Sequence, residues 1–235
     1  MGSDAVPCSG KQLTPAVTAN WRPSPNFGPR RDALQPELVV LHYTAMPDAE
    51  AAISRLCDPL CEVSAHYLIS AGGEVTQMVQ EDMRAWHAGH GTWGGRDDVN
   101  SRSIGIELDN DGASPFAAAQ MDALETLLRD IMHRWGIVPG GVIGHSDMAP
   151  GRKLDPGPRF DWPRLARQGL AAAAKPAMDA VPADEDRFRA LASAAGYPAD
   201  IDTQTLLCAV RHRFRPWAHG PLESADMSVF PELSG

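Results

Sequence analysis

Residues 36–44, PELVVLHYT, contain the run of side chains that decides the fold. Residues 38–41 are all apolar and lead into His42. A strand with one face in water alternates apolar and polar residues, whereas a strand covered on both faces is apolar throughout. The segment therefore predicts a strand inside a sheet, with His42 at its carboxyl end.

Segments further along the chain predict the rest of the sheet. Residues 65–70, AHYLIS, and 74–79, EVTQMV, flank an Ala-Gly-Gly turn, which predicts a hairpin. In residues 102–110, RSIGIELDN, isoleucines alternate with small or polar residues, as they do in a strand. Residues 141–147, GVIGHSD, predict a last short strand that carries His145 at its end.

Two helical patterns lie between these strands. Pro47 at a first-turn position, followed by Ile53 and Leu56 at helical spacing, predicts one helix. Residues 116–135 repeat apolar side chains at helical spacing, and Gly136 is placed to end that helix. Strands mixed with helices in this order predict an α/β domain.

Composition divides the chain into four parts. Residues 1–36, rich in Pro, Arg, Ser and Asn, predict an extended N-terminal arm, and residues 37–170 hold the α/β domain. Alanines and prolines in residues 171–183 predict a semi-stiff linker. Residues 184–235 predict two helices in a unit too small for a large core, so we expect this unit to dock or to act as a binding module.

Size and charge exclude several classes of protein. With 235 residues, 43% of them hydrophobic, the chain is globular. Lys and Arg number 21 against 30 Asp and Glu, a net charge of −9, which argues against nucleic acid or an anionic membrane as a partner. No apolar run approaches the roughly 18 residues of a membrane span. The pattern indicates no particular oligomeric state.

The N-terminus shows no basic segment followed by an apolar run, so it predicts a cytoplasmic protein. The alternative is a periplasmic or lipid-anchored protein, in which an export signal preceded Cys8. Of the remaining cysteines only Cys57 and Cys61 lie near each other, and their spacing leaves both a disulfide and two free thiols open. A zinc site at this pair is not expected, because no second Cys/His pair has a matching spacing.

Residues 145–157, HSDMAPGRKLDPG, carry more charge than a connecting loop requires. Together with His42, the loop residues His145 and Asp155 supply two imidazoles and a carboxylate, the ligand set of a catalytic zinc site. Spacing alone does not show that these residues meet. Glu107 lies on the polar face of its strand, where a solvent-facing and a catalytic role are equally compatible with the pattern.

Five segments resemble, in order and wording, the zinc N-acetylmuramoyl-L-alanine amidases of the AmpD/AmiD type, which belong to the peptidoglycan-recognition-protein superfamily. They are VVLHYTA, SAHYLI, RAWHAG, NSRSIGIELDN and GHSDMAPGRKLDPGPRFDW, within about residues 37–170. The resemblance implies a central mixed β-sheet flanked by helices, with one Zn²⁺ per chain in an open groove. It also implies hydrolysis of the amide between the lactyl group of N-acetylmuramic, or anhydro-N-acetylmuramic, acid and L-alanine in peptidoglycan or soluble muropeptides.

The family pattern assigns a role to each polar residue noted above. It makes His42, His145 and Asp155 the zinc ligands. Glu107 falls on the catalytic glutamate, a general base, and Lys153 on the catalytic lysine, which stabilises the oxyanion. All five positions are filled, which favours an enzyme over a non-catalytic peptidoglycan receptor of the same fold or a zinc amidohydrolase of another substrate.

The chain departs from the family pattern at one position near the substrate groove. Some relatives place an arginine shortly before the strand of the catalytic glutamate, where this chain has Asp98 with Arg96 and Arg102 nearby. The resemblance places RAWHAG along the groove. The substrate-binding candidates are Tyr43, Trp86, His87, Arg96 and Arg102.

The C-terminal unit resembles, more loosely, the small helical peptidoglycan-binding-like module of AmiD-type enzymes. Its segment RHRFRPW, residues 211–217, suits either wall binding or docking against the catalytic domain. Every proposed ligand and catalytic group precedes residue 175. The sequence therefore predicts that a chain ending there folds and binds zinc.

Overall fold

A six-stranded mixed sheet forms the centre of the structure, a computed structural model that describes residues 18–175 and 182–230. The strands of these ranges are β1 (Asn20–Trp21), β2 (Phe27–Pro29), β3 (Leu38–Tyr43), β4 (Tyr67–Ile69), β5 (Val75–Gln77), β6 (Met83–Ala85), β7 (Ser103–Leu108) and β8 (Val142–Gly144). The main sheet has the order β1-β5-β4-β7-β3-β8, and β2 pairs with β6 in a separate antiparallel ribbon. All pairs of the main sheet are parallel except β4 with β5.

Strand β3 lies inside the sheet between β7 and β8, as its apolar run predicted. Residues 38–42 are all buried. The register pairs His42 with Glu107 on β7, and Leu41 with Gly144 on β8. Because the carboxyl ends of parallel strands share one edge of a sheet, this register gathers the candidate catalytic residues at that edge.

Helices cover the sheet, which confirms the predicted fold class. They are α1 (Ala49–Leu56), α2 (Val99–Arg102), α3 (Ala118–Trp135), α4 (His145–Met148), α5 (Trp162–Arg167), α6 (Glu185–Ala194) and α7 (Thr203–Phe214). Helix α3 matches the predicted one and ends at Gly136, whose φ of 68° is left-handed. Its fully buried Leu128 and Ile131 belong to the same core cluster as Ile106 of β7. None of the helices in the described ranges is long and apolar enough to cross a membrane.

The predicted hairpin is also present. Strands β4 and β5 pair antiparallel, and the amide of Gly73 donates to the carbonyl of Ser70 in the turn between them. Gly73 has a φ of 88°, and a Cβ there would lie 2.7 Å from the carbonyl oxygen of Ala119. The turn therefore requires glycine at this position for two reasons, conformation and space.

Two predictions require correction. Residues 18–36 are not merely an extended arm: β1 extends the main sheet beside β5, and the buried Arg30 donates to the carbonyls of Glu81 and Ser103. The strand predicted in residues 141–147 ends at Gly144, since the Asp147 carboxylate accepts from the Gly144 amide and begins helix α4. Residues 1–17, with Cys8, and 176–181 lie outside the described residues, so the arm and linker boundaries stay predictions.

The predicted pair of C-terminal helices is present as α6 and α7, and the unit contacts the catalytic domain through α7 and through residues that follow α6. The Gly94 amide donates to the carbonyl of Gly196, and the rings of Trp93 and Tyr197 meet edge-on at 5.2 Å. On helix α7, Arg213 bonds to Asp147 of α4. The unit thus docks beside the segment that carries His145.

Cys57 and Cys61 do not form a disulfide with each other. Both are free thiols. The Cys57 thiol donates to the carbonyl of Arg22 at 3.7 Å, and the Cys61 thiol donates to Asp58 at the same distance.

Candidate active site

Three predicted metal ligands converge where β3 and β8 end. Nδ1 of His42 lies 2.8 Å, and Nδ1 of His145 3.0 Å, from Oδ2 of Asp155. The three donor atoms lie within 4.8 Å of one another, and all three residues are buried. The loop after α4 returns Asp155 to this point, because its carbonyl accepts the amide of Ser146 at 2.9 Å.

The hydrogen-bond partners of His145 orient its ring as a metal ligand requires. Its Nε2 lies 2.8 Å from the carbonyl oxygen of Ala88. A carbonyl only accepts, so Nε2 carries a hydrogen, and in the neutral ring, the form that binds metals, Nδ1 presents its lone pair toward the Asp155 carboxylate. A lone pair and a carboxylate at this distance repel unless a cation lies among them, and two imidazoles with one carboxylate are ligands that zinc prefers.

Burial favours the neutral form of the His42 ring. Burial, with the nearby His145, lowers the pKa of His42 to about 4. The imidazole is therefore neutral near pH 7, the form that binds metals.

Glu107 lies beside His42 and has an unused oxygen. Its Oε2 is buried and has no hydrogen-bond partner among the described residues. Burial raises the pKa of Glu107 well above its ordinary value, the charge of Asp155 adds to this, and Lys153 opposes it. A raised pKa makes this carboxylate a stronger base than a solvated one, which suits general acid–base chemistry.

Lys153 reaches the same space from the loop before Asp155. Its backbone amide donates to the carbonyl of Ala149 at 3.0 Å, which fixes the start of the side chain. In the described part of the chain no hydrogen bond or ion pair engages its ammonium group. The charge is thus available to a substrate.

These residues line a cavity of about 450 Å³. Tyr43, Trp86 and His87 line it too. A larger cavity, of about 650 Å³, lies between the catalytic domain and the C-terminal unit, next to Glu37 and Tyr197. We place the site in the smaller cavity because the three candidate metal ligands, Glu107 and Lys153 all line it.

Arg96 and Arg102 lie elsewhere. Arg96 Nη1 is 2.7 Å, and Arg102 Nε 2.6 Å, from the same carboxylate oxygen of Glu37. Arg102 also donates to the carbonyl of Trp93, so its guanidinium is already hydrogen-bonded within the protein. Neither residue lines the 450 Å³ cavity.

Sequence reasoning missed two cations that do line the cavity, Arg55 and Arg152. Arg152 stands next to Lys153 in the charged loop, which was a usable signal, and its guanidinium donates to the carbonyl of Ala88 at 2.8 Å. Arg55 is the last basic residue of helix α1. Nothing in its local pattern distinguishes it from a solvated surface arginine.

Comparison with known proteins agrees with this geometry. Residues 32–158 match the family described as N-acetylmuramoyl-L-alanine amidase. N-acetylmuramoyl-L-alanine amidase AmiD of Escherichia coli strain K12 is 42% identical over 152 residues, which are 58% of this chain and 54% of that relative. The chain thus spans about half the length of AmiD. The 1,6-anhydro-N-acetylmuramyl-L-alanine amidase AmpD of Salmonella typhimurium strain SL1344 is 37% identical over 166 residues, 63% of this chain and 89% of that relative.

A solved structure extends the likeness to the C-terminal unit. It is a complex of AmiD from E. coli with the substrate anhydro-N-acetylmuramic acid-L-Ala-D-gamma-Glu-L-Lys. It matches with a TM-score of 0.75 and 33% identity, covering 88% of this chain and 90% of that one. With the matching family, fold and residue cluster together, this chain belongs to the N-acetylmuramoyl-L-alanine amidase family.

Proposed function

We propose that the chain is a zinc-dependent N-acetylmuramoyl-L-alanine amidase that separates the lactyl group of N-acetylmuramic or anhydro-N-acetylmuramic acid from L-alanine. The observation that carries this is the convergence of His42, His145 and Asp155 beside the free oxygen of Glu107 in an open cavity. These three residues would hold one Zn²⁺. When bound, zinc supplies Lewis acidity, which lowers the pKa of a water and polarises a carbonyl.

Glu107 moves the proton in this scheme. Its Oε2 takes a proton from the water that attacks the lactyl carbonyl, and the carboxyl then gives that proton to the departing amine of L-alanine. One carboxyl can perform both transfers because its raised pKa makes the carboxylate a stronger base, and the proton it accepts is the one it returns.

Lys153 stabilises the negative charge that develops on the lactyl oxygen during attack. Lys153 lines the cavity and its ammonium has no hydrogen-bond or ion-pair partner among the described residues, so its charge is available to the oxyanion. We assign it to the transition state and not to ground-state binding.

Arg55 and Arg152 complete the site as contacts for the peptide, since the carbonyls of Ala88 and His90 engage only Nη2 of Arg152 and leave its other N–H groups to a ligand. The substrate bound to AmiD contains a D-gamma-Glu residue, whose free α-carboxylate is an anion. Guanidinium groups pair well with carboxylates. Two arginines in the cavity of this chain therefore support a muropeptide substrate with a charged stem peptide.

Product analysis tests the proposal. The purified protein is incubated with soluble anhydromuropeptides, intact sacculi and N-acetyl amino acids, and the products are identified by mass. Release of the free peptide from muropeptides, lost with a chelator and restored by zinc, is the expected result. Binding of muropeptides without cleavage would favour a receptor, and cleavage of acetylated amino acids alone would favour another amidohydrolase.

A further inference from the structure

Zinc binding requires one particular tautomer of His42. Its Nδ1 faces Asp155 and must present a lone pair, so its Nε2 must carry the hydrogen. Nε2 of His42 lies 3.0 Å from Nδ1 of His87, a group that can either donate or accept. The tautomer of His87 therefore decides the tautomer of His42.

The hydrogen-bond chain beyond His87 determines its tautomer. The Ser103 hydroxyl lies 2.6 Å from the carbonyl oxygen of Val99, and since a carbonyl only accepts, the hydroxyl hydrogen points there. The Ser103 oxygen then accepts from Nε2 of His87 at 3.1 Å. With its hydrogen on Nε2, His87 has an unprotonated Nδ1 and accepts from His42.

The fold holds the His87 ring in place for this role. The carboxamide oxygen of Asn100 accepts the backbone amides of His87 and Ala88 at 3.0 and 2.8 Å. On the other side, the ring lies against Gly105, where a Cβ would come within 2.4 Å of it. Gly105 is therefore required by the ring of His87 and not by its own backbone conformation.

We infer that Val99, Ser103 and His87 form a relay with one direction of donation, which presents the Nδ1 lone pair of His42 to the metal. The inference rests on the proposed metal site. His87 is then a positioning residue, and neither of its ring nitrogens is free for a substrate. Partners that orient metal-bound histidines commonly change metal affinity by about 10–100-fold when they are removed.

The variant Ser103→Ala tests the relay, because it removes the acceptor for His87 Nε2 without adding bulk. Zinc affinity is measured by competition with a chelator. The matched control is Ser101→Ala, which removes another fully buried serine hydroxyl, one that accepts from Arg31 and Arg84. We expect Ser103→Ala to weaken zinc binding about tenfold, and Ser101→Ala to change it less than about twofold.

The ring nitrogens themselves provide a second measurement. Long-range ¹H–¹⁵N NMR spectra of the full chain should show His87 with its hydrogen on Nε2 and an unprotonated Nδ1. A hydrogen on Nδ1 of His87 would overturn the relay, as would equal zinc affinities for the two serine variants. If the unaltered chain bound no zinc, the proposed function would fail, but the tautomer of His87, read without metal, would still decide the relay.

Discussion

The substitution Arg213→Met should damage both the stability and the metal site, although Arg213 lies in the C-terminal unit. Its Nη1 is 2.6 Å from Oδ2 of Asp147, and its Nη2 donates to the carbonyl of Val142 at 2.9 Å. The guanidinium also lies over the ring of Trp162, 4.0 Å from the centroid. Arg213 is 5% exposed and Asp147 only 1%, so water cannot replace these contacts.

The size of the stability loss follows from the charge of Asp147, which stays buried when Arg213 is removed. Removing one partner of a buried ion pair costs about 3–5 kcal/mol, because the other charge stays buried without compensation. Asp147 keeps the Tyr197 hydroxyl and the Gly144 amide as donors, each at 2.8 Å, which favours the lower end. The lost cation–π contact adds about 0.5–2 kcal/mol. We therefore expect the free energy of unfolding to fall by about 3–5 kcal/mol.

Zinc affinity should fall in the same variant. Asp147 accepts from the amide at the start of α4, the helical turn that carries His145, so a displaced Asp147 shifts a metal ligand. For the same reason, a chain ending at residue 175 loses both Arg213 and Tyr197. The structure thus reverses the expectation from sequence: we now expect that shortened chain to bind zinc poorly.

Urea denaturation and chelator competition measure the two effects. The matched control is Arg211→Met, since Arg211 lies on the same helix and is equally buried, but pairs with Asp226 inside the C-terminal unit at 2.6 Å. Arg211→Met should lower the free energy of unfolding by a comparable amount and leave zinc affinity unchanged. A loss below about 1 kcal/mol for Arg213→Met, or equal zinc affinities in the two variants, would refute the reasoning.

Further predictions concern the catalytic residues and pH. Glu107→Gln should keep zinc and lower kcat by about 10²–10⁴-fold, measured on a muropeptide; near-normal turnover would remove Glu107 as the base. Lys153→Met should also keep zinc and lose about 10²–10³-fold in kcat, and a change confined to KM would contradict its role. Asp155→Ala should instead abolish stoichiometric zinc, as metal analysis would show. Burial lowers the pKa of His66 to about 3, whereas an unfolded histidine titrates near 6.5. The unfolded state then binds the extra proton, so His66 by itself should lower the free energy of unfolding by up to about 1.4 kcal/mol per pH unit between about pH 6.5 and 3, and His66→Gln should make the measured slope shallower by that amount.

Local patterns in the sequence were sufficient for the family and for most of the elements. The apolar run of residues 38–41 predicted a buried strand, and the spacing in residues 116–135 with Gly136 predicted helix α3, because burial and helix termination depend on neighbours close in the chain. The order of the motifs indicated the family and its candidate ligands. Local pattern could not show that His42 meets Asp155, which is 113 positions away.

Only the tertiary structure decided which polar groups were already occupied. Arg96 and Arg102 looked available in the sequence, but the fold brings Glu37 to both of them. It likewise places Arg213 on Asp147 across 66 positions. Strand register and helix docking decide which groups become such partners. The free energy of an ion pair or hydrogen bond depends on distance and burial, so it does not follow from residue type and spacing along the chain.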